Sequence, residues 1–205
     1  LLPGEELVWL DTVITHARYT MQYQRGREAM DTALQLVRRY GIPCEYTAHA
    51  YGASLALAAH DQPMAQRHVD AMRTALDGST QADQTHYWHF LAGLALLQGD
   101  TLRAVDLART ALDNSDEIGG LYRIANHTLS LGQALLCSGD AAAALGYVEK
   151  ALDAARRIEA ALLAFTAMLM RAACLLRLHR SNEASQALKL AWREGAKRDF
   201  RSTAV

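Results

Sequence analysis

The chain has 205 residues with 21 Lys and Arg against 22 Asp and Glu, so no charge excess directs it to nucleic acid or to an anionic membrane surface. Hydrophobic residues make up 51%, enough to bury a large core. Cys44, Cys137 and Cys174 lie far apart with no CxxC spacing, which disfavours a disulfide framework or zinc knuckle, suits a reducing cytoplasm, and reads as three small buried hydrophobes. The most apolar stretch, 160–170, runs into Arg171 and falls short of the ~20 residues a membrane span needs; it reads as a packed internal helix. The opening "LLPGEEL" has neither a methionine nor a leader-like charged and apolar pair of regions. It reads as a piece excised from a longer, cytoplasmic protein.

Three prolines and few β-branched runs, against abundant Ala, Leu, Arg and Gln, predict an all-α protein. In chain order the apolar periodicity predicts paired helices near 6–23 and 28–40, 45–59 and 63–77, 83–98 and 101–114, 118–138 and 141–156, and 158–178 and 181–195. "RGRE" (25–28) reads as a solvated end of the second helix, with 24–27 falling between the first two helices, and "YGIP" (40–43) closes that unit with Gly41 and Pro43 as stop signals. Pro63 is placed in the first turn of its helix. Gly99-Asp100 and Gly139-Asp140 each supply a residue tolerant of positive φ at one helix end and an acid at the start of the next.

Those turns recur. "LLQGDTLRAVDLARTAL" returns as "LLCSGDAAAALGYVEKAL" and, more worn, as "LLRLHRSNEASQALKLAW"; Ala104, Ala144 and Ala184 occupy one slot at intervals of 40, and Ala65 and Ala29 continue it backward by 39 and 36. A fixed period of this length with helical periodicity means a solenoid of helix pairs. The expected domain spans 1–195, with units near 6–40, 45–77, 83–114, 118–156 and 158–195 and a tail or truncated next unit at 196–205.

The third unit resembles the tetratricopeptide repeat (TPR), through Trp88, Leu91 and Ala92 on one helix and Ala104, Ala111 and Leu112 on the next. The fourth matches at Leu131, Gly132, Ala144, Ala151 and Leu152 with Thr128 in the tryptophan slot. The fifth keeps Ala172, Ala184 and Ala191 but places Arg171 where leucine belongs, and the first two match only at Ala17 with Ala29 and Ala53 with Ala65. The resemblance implies a right-handed α-α superhelix, a TPR-like solenoid of about five helix pairs, with Trp88 as a core wedge. The long, alanine-rich unit is similar to the repeat region of MalT-like bacterial signal-transduction ATPases and transcriptional regulators. That likeness implies a sensor or interaction arm, and no GxxxxGK[ST] loop assigns nucleotide binding to this chain.

Chemistry is sparse. "HYWH" sets His86 and His89 three apart, a spacing that can ligate zinc, but no HExxH and no carboxylate–histidine cluster accompanies it. Counted back from Ala92, both rings face the inner, concave surface. The same counting selects Asp11, Arg18, Thr47, Tyr51, Ser54, Asn126, Ser130, Gln133 and Thr166. Of this polar strip, Arg18, Tyr51, His86, His89, Asn126 and Gln133 are the candidate ligand-binding residues, with a protein, a peptide or a small effector as partner. No nucleophile elbow is present, so no catalytic residue, metal or cofactor is expected, nor direct nucleic-acid or membrane contact. The alternative is an assembly module that self-associates into a homo-oligomer.

Overall fold

The structure is a computed structural model describing residues 2–76, 80–118, 120–198 and 200, the side chains of 116–118 excepted. Ten helices follow one another: α1 (Pro3–Tyr19), α2 (Tyr23–Tyr40), α3 (Glu45–Ala58), α4 (Gln62–Thr74), α5 (Gln81–Leu97), α6 (Thr101–Ile118), α7 (Leu121–Ser138), α8 (Ala141–Arg157), α9 (Ala161–Arg177) and α10 (Ser181–Ala196). No strand occurs among the described residues. The end of the second expected helix pair, at 77, and the tail residues 199 and 201–205 lie outside them.

Each hairpin turn is built alike. A residue of positive φ follows the first helix: Met21, His60, Gly99, Gly139 or His179. The next N–H then reaches back five residues, from Gln22 to Ala17, Asp61 to Ala56, Asp100 to Ala95, Asp140 to Leu135 and Arg180 to Leu175. This left-handed closure satisfies carbonyls that the helix end would otherwise strand. Asp61, Asp100 and Asp140 then cap the second helix by accepting from the N–H of Met64, Arg103 and Ala143 at 3.0, 3.2 and 3.0 Å, the role their position predicts. Pro63 sits in the first turn of α4.

The first turn departs from expectation. Residues 24–27 are no break between helices: α2 starts at Tyr23, and Gly26 is buried inside it. A Cβ there would stand 2.8 Å from Leu55 Cδ1 and 3.1 Å from Ala17 Cβ. Gly26 serves close packing, and Met21 takes the left-handed conformation that the sequence pattern assigns to glycine.

Ala29, Ala65, Ala104, Ala144 and Ala184 are all buried, as are Ala92, Ala111, Leu131, Gly132 and Ala151, because helices approach closely only where side chains are short. Every odd helix packs on its even partner and also touches the odd helix of the next unit, whereas among the described residues successive even helices do not touch. The odd helices therefore form the inner layer of an all-α solenoid. The core is in two parts that meet on α5, where Phe90 and Leu94 join units one and two while Ala92 and Ala95 join the rest. Beyond α10, Phe200 lies against Phe165, ring centroids 5.4 Å apart, so that part of the expected tail is docked.

Two burial expectations need correction. Trp88 is only half-buried and belongs to neither core. Ala92 and Ala95 fill the seam of α5, and Phe90 is the aromatic wedge. Leu91, also half-buried, packs on the edge of the first core. Trp88→Ala should therefore cost about 1–2 kcal/mol, against about 2–5 kcal/mol for Leu131→Ala, which empties a fully buried site. Thermal melts of both variants check this, and equal losses would return Trp88 to the core. Cys174 is buried but Cys137 is exposed, so it is not one of the small core hydrophobes it was expected to be. No described helix is long and apolar enough to cross a membrane. The apolar 160–170 stretch lies mostly in α9, packed in the second core.

Candidate functional site

All five inner helices converge on one cavity of about 390 Å³. From α1 come Arg18 and Tyr19, from α3 Tyr46, Thr47, Tyr51, Ser54 and Leu57, from α5 Asp83, His86, His89 and Phe90, from α7 Tyr122 and Asn126, and from α9 Leu163 and Thr166. Among the described residues no even helix contributes. Of the six residues singled out in the sequence, Arg18, Tyr51, His86, His89 and Asn126 are brought together here. Gln133, two turns beyond Asn126 on α7, is not among the lining residues; nor is Ser130, which is buried. Asp11 lines a neighbouring hollow with Tyr51.

The walls are held by specific bonds. Thr80 and Asp83 form a reciprocal capping box at the start of α5: the Thr80 hydroxyl and N–H donate to Asp83 Oδ2 at 2.8 and 3.1 Å, and Asp83 N–H donates back to Thr80 Oγ1 at 3.2 Å. The Tyr46 hydroxyl donates to the Asp83 carbonyl at 2.6 Å, tying α3 to α5. Burial and the nearby Asp83 charge push the Tyr46 hydroxyl well above the usual phenol range. The Arg18 guanidinium lies 4.9 Å from the Tyr19 ring centre, a cation–π arrangement.

Behind the lining is a histidine cluster that sequence reasoning found only in part. His86 and His89 stack with centroids 6.2 Å apart, and His89 stacks on His127 of α7 at 4.9 Å. His127 Nδ1 approaches Ser115 Oγ and, at 3.2 Å, the Ala111 carbonyl. A carbonyl can only accept, so Nδ1 carries the hydrogen. Nε2 is then a buried lone pair, without a partner among the described residues. Asn126 Nδ2 lies 3.5 Å from His89 Nε2 and presents it a donor, so His89 carries its hydrogen on Nδ1, which is also buried and without a partner. Burial drives all three imidazoles toward the neutral form. His86 and His127 fall to about 4, helped by Arg123 and, for His127, by His86, and His89 falls well below its ordinary value.

A second pair missed in the sequence links α3 to α4. His49 Nδ1 and His68 Nδ1 are 3.0 Å apart, both rings buried. Glu45 faces His49 Nε2 at 3.9 Å, which favours a hydrogen there and leaves His49 Nδ1 to accept from His68. Burial and its partner lower His68 to about 4. Asp11, desolvated on α1, rises instead to about 6. Among the described residues no group of three or more His, Cys, Asp or Glu is arranged to hold a metal ion.

This architecture defines the class: the protein has the fold of a TPR-like helical-repeat protein. No protein-family model and no curated protein matches the chain. Solved structures do. The TPR-like repeats of a Podosopora anserina kinesin light chain superpose with a TM-score of 0.61 at 13% identity, covering 97% of this chain and 98% of that one. A second structure of those repeats gives 0.60 at 13%, with 95% and 97% covered. The apo form of RapI gives 0.73 at 10% identity over 97% of this chain, and this chain spans 56% of RapI. At such identities the likeness is one of fold.

Proposed function

We propose that the protein is a non-enzymatic binding module whose concave cavity receives a protein segment, peptide or small effector. The observation that carries this is the lining: five inner helices from five units each place side chains on one cavity, of a size typical of ligand sites. Arg18, Tyr51, His86, His89 and Asn126 are its recognition residues; Gln133, outside the lining, would meet only a ligand that extends along α7. A bacterial, cytoplasmic sensor arm of a MalT-like regulator is the context that the long alanine-rich repeats support, with any nucleotide- or DNA-binding domain outside the chain.

The test is a thermal-shift screen of peptide and metabolite libraries, followed by calorimetry of each hit on variants. Arg18→Ala and Asn126→Ala should each weaken binding by about 1–3 kcal/mol. Arg109→Ala and Arg157→Ala, exposed on the outer helices α6 and α8, should leave it unchanged. Loss in the outer pair with none in the inner pair would overturn the concave site.

A second reading, self-assembly, draws on apolar side chains left in the open at both ends. Trp192, 76% exposed, stands on α10 with Leu188, and Trp9 stands on α1 with Val8. Light scattering over a concentration series of the protein and of Trp192→Arg reads it directly: a mass that grows with concentration and reverts in the variant favours assembly.

A further inference from the structure

The cavity's polar groups are unevenly matched, and the mismatch describes its occupant. Among the described residues the lining holds one carboxylate, Asp83, and that group is engaged by the hydroxyl and N–H of Thr80. The other charge in the lining is cationic. Arg18 of α1 is close enough to His89 and Tyr122 to bias both toward loss of a proton, and Arg123, between Tyr122 and Asn126 on α7, does the same to His86 and His127. Two buried nitrogens of this corner, His89 Nδ1 and Arg123 Nη1, have no hydrogen-bond partner among the described residues. Both are donors, and buried donors without acceptors are costly.

Charged and titratable groups surround the histidines from four inner helices. From α1 come Arg18 and Tyr19, from α3 Tyr46 and Tyr51, from α5 Asp83, and from α7 Tyr122, Arg123 and His127, the last standing behind His89 and outside the lining; α9 presents only Leu162, Leu163 and Thr166. Asp11 bears on Tyr51 and Cys44 instead. The corner is thus positive and rich in donors. Beside it the lining is apolar: Phe90, whose ring centre lies 4.7 Å from that of His86 and 5.3 Å from that of His89, with Leu57 and Leu163.

Resting on the concave-site reading, we propose that the occupant is a compact carboxylic acid with an aromatic or branched apolar body, its carboxylate against Arg18, His86 and His89 and its body against Phe90, Leu57 and Leu163. A carboxylate supplies an acceptor to the buried His89 Nδ1, and charge-assisted bonds to arginine are the stronger kind. A volume of about 390 Å³ suits one amino-acid-sized body and leaves an extended peptide outside.

N-acetyl-phenylalanine and its primary amide are the probes, alike in shape and different in charge. Titrated into the full chain and followed by amide NMR, the acid should shift the signals of residues 86, 89 and 126 and bind at least about tenfold more tightly than the amide. Arg18→Gln should reduce that preference to less than about threefold by weakening the acid more than the amide. Equal affinity of acid and amide, with shifts at the cavity, would overturn the carboxylate and leave the concave site standing. No shift at these residues from either probe at millimolar concentration would overturn the assignment, and the library screen then judges the site independently. The peptide acetyl-Ala-Ala-Phe tests the source of the acid. Affinity equal to or below that of N-acetyl-phenylalanine is expected, and about tenfold tighter binding would overturn the free acid in favour of a polypeptide C terminus.

Discussion

Acidification from pH 7 to 4 should destabilise the protein by several kcal/mol, more than its carboxylates alone would produce. In the unfolded chain each histidine titrates near 6.5, whereas in the fold His68, His86 and His127 titrate near 4, His89 well below its ordinary value, and His49 below its own. Below pH 6.5 the unfolded chain therefore takes up protons that the folded chain refuses. Stability is complete above that value and falls as pH drops toward 4, where the folded rings begin to protonate and the loss levels off. For His127, almost without exposed surface, the shift corresponds to roughly 3 kcal/mol. Asp11 acts the other way. Its pKa is raised to about 6, so its penalty is relieved as it protonates over the same range, one group against five. With typical total stabilities of about 5–15 kcal/mol, unfolding before pH 4 is expected. Urea midpoints at pH 8, 6, 5 and 4.5 measure the slope, and His127→Gln should flatten it. A midpoint independent of pH would show the rings to be charged or solvated in the fold.

Gly52→Ala should be the most damaging of the glycine substitutions, at about 2–5 kcal/mol. A Cβ on Gly52 would overlap the His68 ring, and that ring cannot move without breaking its bond to His49, so overpacking adds to an orphaned buried polar group. The clash is mutual. Gly52→Ala with His68→Ala should cost less than the sum of the two single changes, by about 1–3 kcal/mol of coupling. Gly146 on the exposed side of α8 has open space where a Cβ would go, so Gly146→Ala should stabilise by up to about 1 kcal/mol through helix propensity. Gly132→Leu falls between, since Val148 Cγ2 lies 2.9 Å from a Cβ there and overpacking costs about 1–3 kcal/mol. Chemical denaturation of the five variants ranks them, and a Gly52→Ala protein as stable as the parent would refute the packing of His68 on α3.

What the sequence by itself determined is whatever depends on neighbours in the chain. Helix pairing, the alanine slots, the Asp caps at 100 and 140 and the inward face of "HYWH" follow from propensity, cap chemistry and a period of 3.6, each acting within a few residues and repeated down the chain. Even so, the pattern misplaces the first turn, because Met21, His60 and His179 adopt a conformation usually reserved for glycine once packing of the flanking helices demands it. Tertiary structure alone decided which inner-face residues meet. Asn126 and His89 lie 37 residues apart and touch only because α5 and α7 are neighbours. His127 joins the cluster from behind for the same reason, and His49 meets His68 across a hairpin. Trp88 shows the converse. Its slot in the repeat is the wedge position, but Ala92 and Ala95 close the α5 seam and Phe90 fills the core on the other face, leaving the indole at the margin. Superhelical stacking also turned an expected open strip into a cavity, since inward curvature brings α1, α3, α5, α7 and α9 onto one volume. Side-chain spacing along one helix cannot encode that distance, because it is set by the sum of small rotations between units.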